Sequence, residues 1–238
     1  DPEFNMTLAR DVEQATAEIL AGIKAGKPIT AGRDSPELEH LNNDLPVEAE
    51  VDAAIDRMRQ SEHGAPGLDG IMAWMLLWAH ASLIEALLLL FVIVWESQSI
   101  PAAWLMVLMV YMAKKDAPDK THIAACRPLS LRSVLGKLFT RVLYLRLKTI
   151  LKDVYPLEQM GYKEGLGSDA ALWAIRQLIK ESEDSGSELW ALLCDWSKAY
   201  DRVWRALVML ILHAHGVNGT LWILIYKWLH DTTYVAEF

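Results

Sequence analysis

The chain has 238 residues, a hydrophobic content of 53%, ten tryptophans and a formal net charge of −8. This length is enough to bury a substantial core, and the acidic balance argues against a protein whose whole surface attracts nucleic acid. The two cysteines, Cys126 and Cys194, have no partner at close spacing, so the sequence implies neither a disulfide framework nor a zinc knuckle.

The first part of the chain is predicted to be a helix followed by a linker. Apolar side chains recur at helical spacing over residues 7–25, and Gly26 follows them as a stop signal. Residues 27–46 contain Gly, Pro, Asp and Asn and are typical of a connecting segment. Another helix is predicted from Pro46. A tight turn over residues 64–70 follows, where Asp69 is placed to cap the next helix near Ile71.

Residues 71–113 are unusually apolar, and two interpretations are open. The first is a set of core helices followed by a buried strand over residues 105–113, and the second is a membrane-embedded segment or a large apolar interface. The uncharged runs are shorter than the about 20 residues that span a bilayer, and Glu85 would be costly inside one. We expect an apolar surface to lie against another protein or a membrane through Trp74, Trp78, Leu87–Trp95 and Trp104.

A basic segment follows. Residues 114–152 carry ten Lys or Arg and two Asp, which gives a net charge of +8 and leaves −16 for the rest of the chain. This segment is either a surface that faces phosphate groups or the solvated side of an ordinary helix. Residues 131–151 have the apolar spacing of an amphipathic helix. For Lys114 and Lys115, at the start of this segment, the alternative to a phosphate contact is a solvated loop.

An apolar run over residues 189–194 ends at Asp195. It predicts a buried strand that delivers Asp195 at its C-terminal edge, where a carboxylate can hold a divalent metal. The alternative is a helix N-cap, in which Asp195 or Ser197 starts a helix through Tyr200 and Trp204. A further helix is predicted over residues 168–180, with Ser168 as the cap.

Four stretches in order resemble motifs of the reverse transcriptases of non-LTR retrotransposons. They are A-P-G-L-D-G-I at residues 65–71, R-P-L-S-L at residues 127–131 with Lys137 and Arg146 behind it, Q-M-G-Y-K at residues 159–163 and D-W-S-K-A-Y-D at residues 195–201. The resemblance covers about residues 48–238. It implies a helix-rich α+β fold that contains the fingers and the first part of the palm. After the last motif it implies helices over residues 206–215 and 221–229 and a short strand over residues 232–238.

The resemblance also implies roles for individual residues. Lys114 or Lys115 and Arg127 would contact the incoming nucleotide triphosphate, since cations offset the charge of phosphate. Asp195 would bind catalytic Mg²⁺, and Tyr200 would pack beneath the sugar and exclude a 2′-hydroxyl. The implied partners are RNA and DNA, and the implied location is the nucleus or the cytoplasm.

Later motifs of the family are not found after residue 201. These are a Gln-Gly loop and the paired-aspartate hairpin that supplies the other metal ligands of a two-metal site. We therefore expect a fold truncated before that hairpin and a chain that is not catalytic by itself. The predicted segments are an N-terminal helix and linker over residues 1–46, a fingers-like region over residues 47–188 and a partial palm over residues 189–238.

Two functions follow from these observations. In the first, the chain is the fingers and front palm of a reverse transcriptase, with Mg²⁺ as the cofactor if it is active. In the second, it is a non-catalytic structural subunit of a larger assembly. The apolar region over residues 71–113 would then hold it against other protein subunits or an organelle membrane. A parent reading frame that continues into a paired-aspartate hairpin would favour the first.

Overall fold

The computed structural model describes residues 2–26, 36–59, 64–78, 80–113, 126–156, 158–163, 165–197 and 199–237. Its elements in chain order are α1 (Pro2–Lys24), α2 (Pro36–Asn43), α3 (Glu48–Arg59), α4 (Ala73–Trp78), α5 (His80–Ser97), α6 (Ala102–Leu105), β1 (Met106–Ala113), β2 (Cys126–Arg132), α7 (Val134–Ile150), α8 (Ser168–Ser185), α9 (Arg205–Ala214), α10 (Gly219–His230) and β3 (Thr233–Glu237). This helix-rich composition with one small sheet confirms the predicted α+β class.

Two compact units share the chain. The first runs to Ile150 and resumes at Trp204, and the second is Leu151–Val203. Within the first unit, α1 packs against α9 and α2 packs against α10, so the N-terminal helices lie beside the C-terminal ones. The three segments predicted from the sequence, with boundaries at residues 46 and 188, were defined by motifs and not by contacts between elements. They stay a prediction.

Aromatic side chains fill the centre of the first unit. Phe91 of α5, Trp104 of α6 and Phe139 of α7 contact one another with ring centroids 5.2 to 6.0 Å apart. Trp222 of α10 is fully buried, and its Nε1 donates a hydrogen bond to the carbonyl oxygen of Met209. Because aromatic rings bury large areas and prefer edge-on contacts, this cluster fixes how α5, α6 and α7 pack.

Helix α5 turns one apolar stripe into this core. Leu87, Phe91, Val94 and Trp95 recur at helical spacing, and each is at most 2% exposed. Trp104 is 4% exposed. The expectation that Leu87, Trp95 and Trp104 face a partner is therefore wrong, because α3, α7 and α10 already cover their side of the molecule.

The opposite side of α5 stays apolar and open to solvent. Leu89 is 62% exposed and Ile93 is 52% exposed, and Glu85 is also exposed. A buried stripe with an uncovered apolar back explains why the sequence of this region looks more hydrophobic than one core face requires. Among the described residues, no helix combines the length and apolarity that crossing a membrane requires.

Arg146 of α7 is buried, with 4% of its side chain exposed, and joins several elements. Its Nε and Nη2 donate to the two carboxylate oxygens of Glu50 at 2.6 and 2.7 Å. Its guanidinium carbon lies 4.4 Å from the centroid of the Trp95 ring. Its Nη atoms also donate to three carbonyl oxygens around the end of α2, those of Leu41, Asp44 and Leu45. One side chain thereby ties α7 to α2, α3 and α5.

Two asparagines at the end of α2 fix the start of α10. Asn42 donates from Nδ2 to the carbonyl oxygen of Gly216 at 3.0 Å, and its Oδ1 accepts from the backbone N–H of Asn218. Asn43 accepts from the backbone N–H of Thr220. Since Asn42 is 1% exposed, its amide group depends on these partners for hydrogen bonding.

The sheet has the strand order β2–β1–β3, with β2 antiparallel and β3 parallel to the central strand. Strand β1 confirms the strand predicted over residues 105–113, and β3 confirms the one predicted over residues 232–238. Strand β2 contains the R-P-L-S-L stretch. Its Pro128 is tolerated because an edge strand has one side without a partner, where a missing N–H costs no ladder bond.

The strand predicted before Asp195 is wrong. Residues 187–196 form neither helix nor strand, and Leu192 and Leu193 are each 90% exposed. The described part of the second unit contains no other strand, and an extended segment without a hydrogen-bonded neighbour gains too little to form one. Ser168 does not cap α8 either, because Gly167 occupies the N-cap position.

Replacing Arg146 by Met should destabilise the first unit by about 3–5 kcal/mol, because the change leaves the Glu50 carboxylate and three carbonyl oxygens without their donor. Urea unfolding monitored by tryptophan fluorescence measures this loss. Arg59→Met is the matched control, since Arg59 pairs with Asp56 on the exposed side of α3. This substitution should lower the free energy of unfolding by less than about 1 kcal/mol. Equal losses in the two variants would contradict this role of Arg146.

Replacing Gly67 by Ala should cost about 1–3 kcal/mol through overpacking. An added Cβ would lie 2.5 Å from the backbone nitrogen of Ser133 and 2.6 Å from the carbonyl carbon of Arg132, and backbone atoms cannot rotate away. Gly161→Ala is the control, because its Cβ would meet one flexible side-chain atom of Gln159 at 3.5 Å. Urea midpoints that fall equally, or not at all, would contradict this packing.

Candidate functional site

Arg127 lies on the edge strand β2, opposite Met112 of β1, and is exposed. Residues paired across two strands point to the same face, so Arg127 shares a sheet face with Leu129 and Val110. The arrangement offers a solvated cation beside an apolar surface. Residues Lys114 and Lys115, the other expected triphosphate contacts, lie outside the described residues.

The basic segment does not form one continuous phosphate-facing surface. Arg146 is enclosed by its carboxylate and carbonyl partners and has no donor left for a ligand. The guanidinium carbon of Arg132 lies 5.7 Å from the centroid of the Trp228 ring, and burial lowers the pKa of Arg132. Lys137 and Arg127 keep exposed side chains. The segment therefore divides its cations between the interior and the surface.

The sequence carried a signal for the buried position of Arg146 that composition alone hides. Leu138, Val142, Arg146 and Ile150 follow one another at steps of four on α7, and all four are buried. A cation within such an apolar stripe indicates a buried partner rather than a solvated face.

Asp195 is exposed in the second unit, within the segment that has neither helix nor strand. The alternative prediction, a helix N-cap at Asp195 or Ser197, is also wrong, because the next helix is α9 and its N-cap is Trp204. Asp195 thus lacks the rigid support that a strand end would give a metal ligand.

The residues expected to hold Mg²⁺ do not complete a site in the described part of the chain. Asp195 and Asp201 are exposed, and no group of three or more His, Cys, Asp or Glu side chains capable of holding a metal is present there. Because Mg²⁺ requires near-octahedral oxygen coordination and is usually bound by one or two carboxylates with further oxygen ligands, Asp195 alone does not define its site.

Tyr200 is exposed, and its hydroxyl is hydrogen-bonded to the hydroxyl of Tyr162 within the second unit. Tyr162 belongs to the Q-M-G-Y-K stretch and has a φ of +60°, a backbone conformation that is uncommon for a non-glycine residue. The hydrogen bond raises the pKa of Tyr200. Residues from two of the four motifs are therefore in contact.

Two of the expected interface residues are exposed. Trp74 is 40% exposed and Trp78 is 81% exposed, and their rings pack edge-on with centroids 6.3 Å apart. An exposed tryptophan pair is a candidate contact for another molecule. The expected contact of this pair with another protein or a membrane stays a prediction.

Comparison with known proteins supports the resemblance drawn from the motifs. Over 143 residues the chain is 27% identical to the probable RNA-directed DNA polymerase from transposon BS of Drosophila melanogaster. Over 150 residues it is 28% identical to the probable RNA-directed DNA polymerase from transposon X-element of the same organism. These matches cover 59% and 62% of this chain and 16% of each relative.

The chain thus spans about one-sixth of the length of these curated relatives, and no family model matches it. The similarity supports a reverse-transcriptase-like region in this chain. That this chain binds nucleic acid and nucleotides is a proposal.

Replacing Tyr162 by Phe should lower the pKa of Tyr200 toward its ordinary value. The hydroxyl of Tyr162 is the largest cause of the raised pKa, and Phe removes it. Titrating tyrosinate absorbance in the wild type and in Tyr162→Phe measures the change, with Tyr200→Phe assigning the signal. Tyr155→Phe, which removes another exposed tyrosine of the same unit, is the control. An unchanged Tyr200 titration in Tyr162→Phe would contradict the contact.

Proposed function

We propose that this chain is part of a reverse-transcriptase-like RNA-directed DNA polymerase and that it binds nucleic acid and nucleotide without polymerising DNA by itself. Its similarity over 143 to 150 residues to two RNA-directed DNA polymerases carries the proposal. The four motifs, which occur in the order of the resembled family, also support it.

The proposal assigns the phosphate contact to Arg127, to which the family resemblance adds Lys114 or Lys115. The exposed position of Arg127 on an edge strand supports this role, because the side chain is solvated and free to meet a polyanion. An arginine fork matches phosphate oxygens bidentately, which gives orientation as well as charge.

The assigned role of Tyr200 is to pack beneath the sugar and exclude a 2′-hydroxyl. Its ring is exposed and therefore open to a substrate, and the hydroxyl of Tyr162 gives its outer end a fixed partner. Asp195 is the proposed metal ligand. Because this single carboxylate does not form a magnesium site, we propose that polymerisation requires further carboxylates beyond those of the described site.

A second candidate function is that of a structural subunit held by its apolar surface. Two exposed apolar pairs favour it: Trp74 and Trp78, whose rings are in contact, and Leu89 and Ile93, which lie one turn apart on α5. Neighbouring apolar side chains in water mark surfaces that contact other proteins. A measurement of nucleic-acid binding distinguishes the two functions. A structural subunit held by these apolar residues needs no contact with phosphate.

Fluorescence anisotropy with a labelled RNA template–DNA primer tests the proposed function. We expect the wild-type chain to bind it with an affinity that falls as salt rises. Arg127→Glu should weaken binding about tenfold, equivalent to about 1.4 kcal/mol, because it replaces a phosphate-facing cation by an anion. Arg176→Glu, an exposed charge reversal on α8, is the matched control and should change binding less than about twofold.

A primer-extension assay with Mg²⁺ and deoxynucleotides completes the test. The chain alone should not extend the primer. Extension that Asp195→Ala abolishes would overturn the non-catalytic part of the proposal. Failure of the chain to bind the template–primer, even at low salt, would overturn the nucleic-acid part and leave the structural subunit.

A further inference from the structure

A cavity of about 200 Å³ lies in the first unit between α3, the turn before α4, and α7. Its apolar wall includes Ala54, Ala73, Val134 and Leu138, each of which is at most 4% exposed. Pockets for drug-sized ligands are about 300–1,000 Å³, so this smaller cavity can hold a phosphate with part of the group attached to it. None of the residues assigned to the proposed function lines it.

Three cations also line this cavity: Arg57 from α3, and Lys137 and Arg141 from α7. Lys137 and Arg141 are four residues apart and therefore lie on the same side of the helix. Arg57 and Lys137 are exposed and Arg141 is half-buried, whereas the apolar wall is buried. The charges thus lie on the solvent side of an apolar pocket.

Arg141 has an unused donor. Its Nε is buried and has no hydrogen-bond partner among the described residues. The guanidinium carbon lies 4.6 Å from the centroid of the Tyr144 ring, which holds the group in place. Because this Nε is closed to water, a ligand in the cavity would have to be met by the terminal nitrogens of the Arg141 guanidinium.

The charge around Lys137 is also incompletely balanced. Partial burial of the Lys137 side chain lowers its pKa, and the charge of Asp69 opposes that shift as the smaller effect. Asp69 accepts a hydrogen bond from the backbone N–H of Ile71, so it also serves its own turn. The described residues that line the cavity include three cations and no carboxylate.

We propose that this cavity binds a phosphate monoester that carries a small organic group. Arginine forks and a lysine match the oxygens of a phosphate, and the apolar wall receives the attached group. One terminal phosphate needs only local cations, so the formal charge of −8 on the whole chain does not oppose its binding. The phosphate belongs either to a free nucleotide or to the 5′ end of a strand.

Isothermal titration calorimetry with adenosine 5′-monophosphate tests the site. Binding should be measurable for the wild type, and adenosine without the phosphate should bind at least about tenfold more weakly. Arg141→Gln and Lys137→Gln should each weaken the nucleotide about tenfold. Arg59→Gln is the matched control, because Arg59 is an exposed cation of α3 outside the cavity and should change affinity less than about twofold.

Short oligonucleotides with a 5′-phosphate or a 5′-hydroxyl distinguish the two sources. A 5′-phosphate that strengthens strand binding by the wild type but not by Lys137→Gln assigns the site to strand ends, whereas strand binding that does not depend on the 5′-phosphate assigns it to free nucleotides. Circular dichroism checks that the variants are folded. If Arg141→Gln does not fold, Lys137→Gln still tests the site, because Lys137 is exposed. Absence of nucleotide binding by the wild type, or equal binding by folded Lys137→Gln, would overturn the proposal. Either result leaves the template–primer test of Arg127 unaffected.

Discussion

The first unit depends on the ion pair between Arg146 and Glu50. Burying a guanidinium is costly unless a carboxylate and other acceptors surround it, and here the carboxylate, three carbonyl oxygens and the face of Trp95 do so. Glu50 also accepts a hydrogen bond from the backbone N–H of Val47 at the start of α3. The pair therefore orders the chain between α2 and α3 and holds α7 against it, which brings α5 and α10 into register around the aromatic core.

Helix α7 uses its cations for two different purposes. Arg146, on the stripe that faces the core, stabilises the fold, while Lys137 and Arg141 line a cavity near the surface. Arg127, on the strand before this helix, is a third kind of cation because it stands on a sheet face in solvent. The proposed binding of phosphate is therefore compatible with the acidic net charge of the chain. It depends on local cations and not on the charge averaged over the whole surface.

Periodicity predicted most of the regular structure because helices and strands bury recurring apolar positions. The helix that became α7 and the strand that became β1 were predicted from their own sequences, and the edge position of β2 accounts for Pro128. The segment before Asp195 was mispredicted because an apolar run specifies a strand only where a neighbouring strand is available to pair with it. The cation cavity was not predicted, since Arg57 and Arg141 meet only when α3 packs on α7.

Nuclear magnetic resonance of arginine side chains tests the division of cations most directly. With the side-chain nitrogens labelled, the Nε–H of Arg146 should exchange slowly with solvent and keep its chemical shift when adenosine 5′-monophosphate or a template–primer is added. The signals of Arg141 and Arg127 should shift with the mononucleotide and the template–primer, respectively. An Arg146 signal that exchanges as fast as that of exposed Arg59, or that moves with either ligand, would contradict the account.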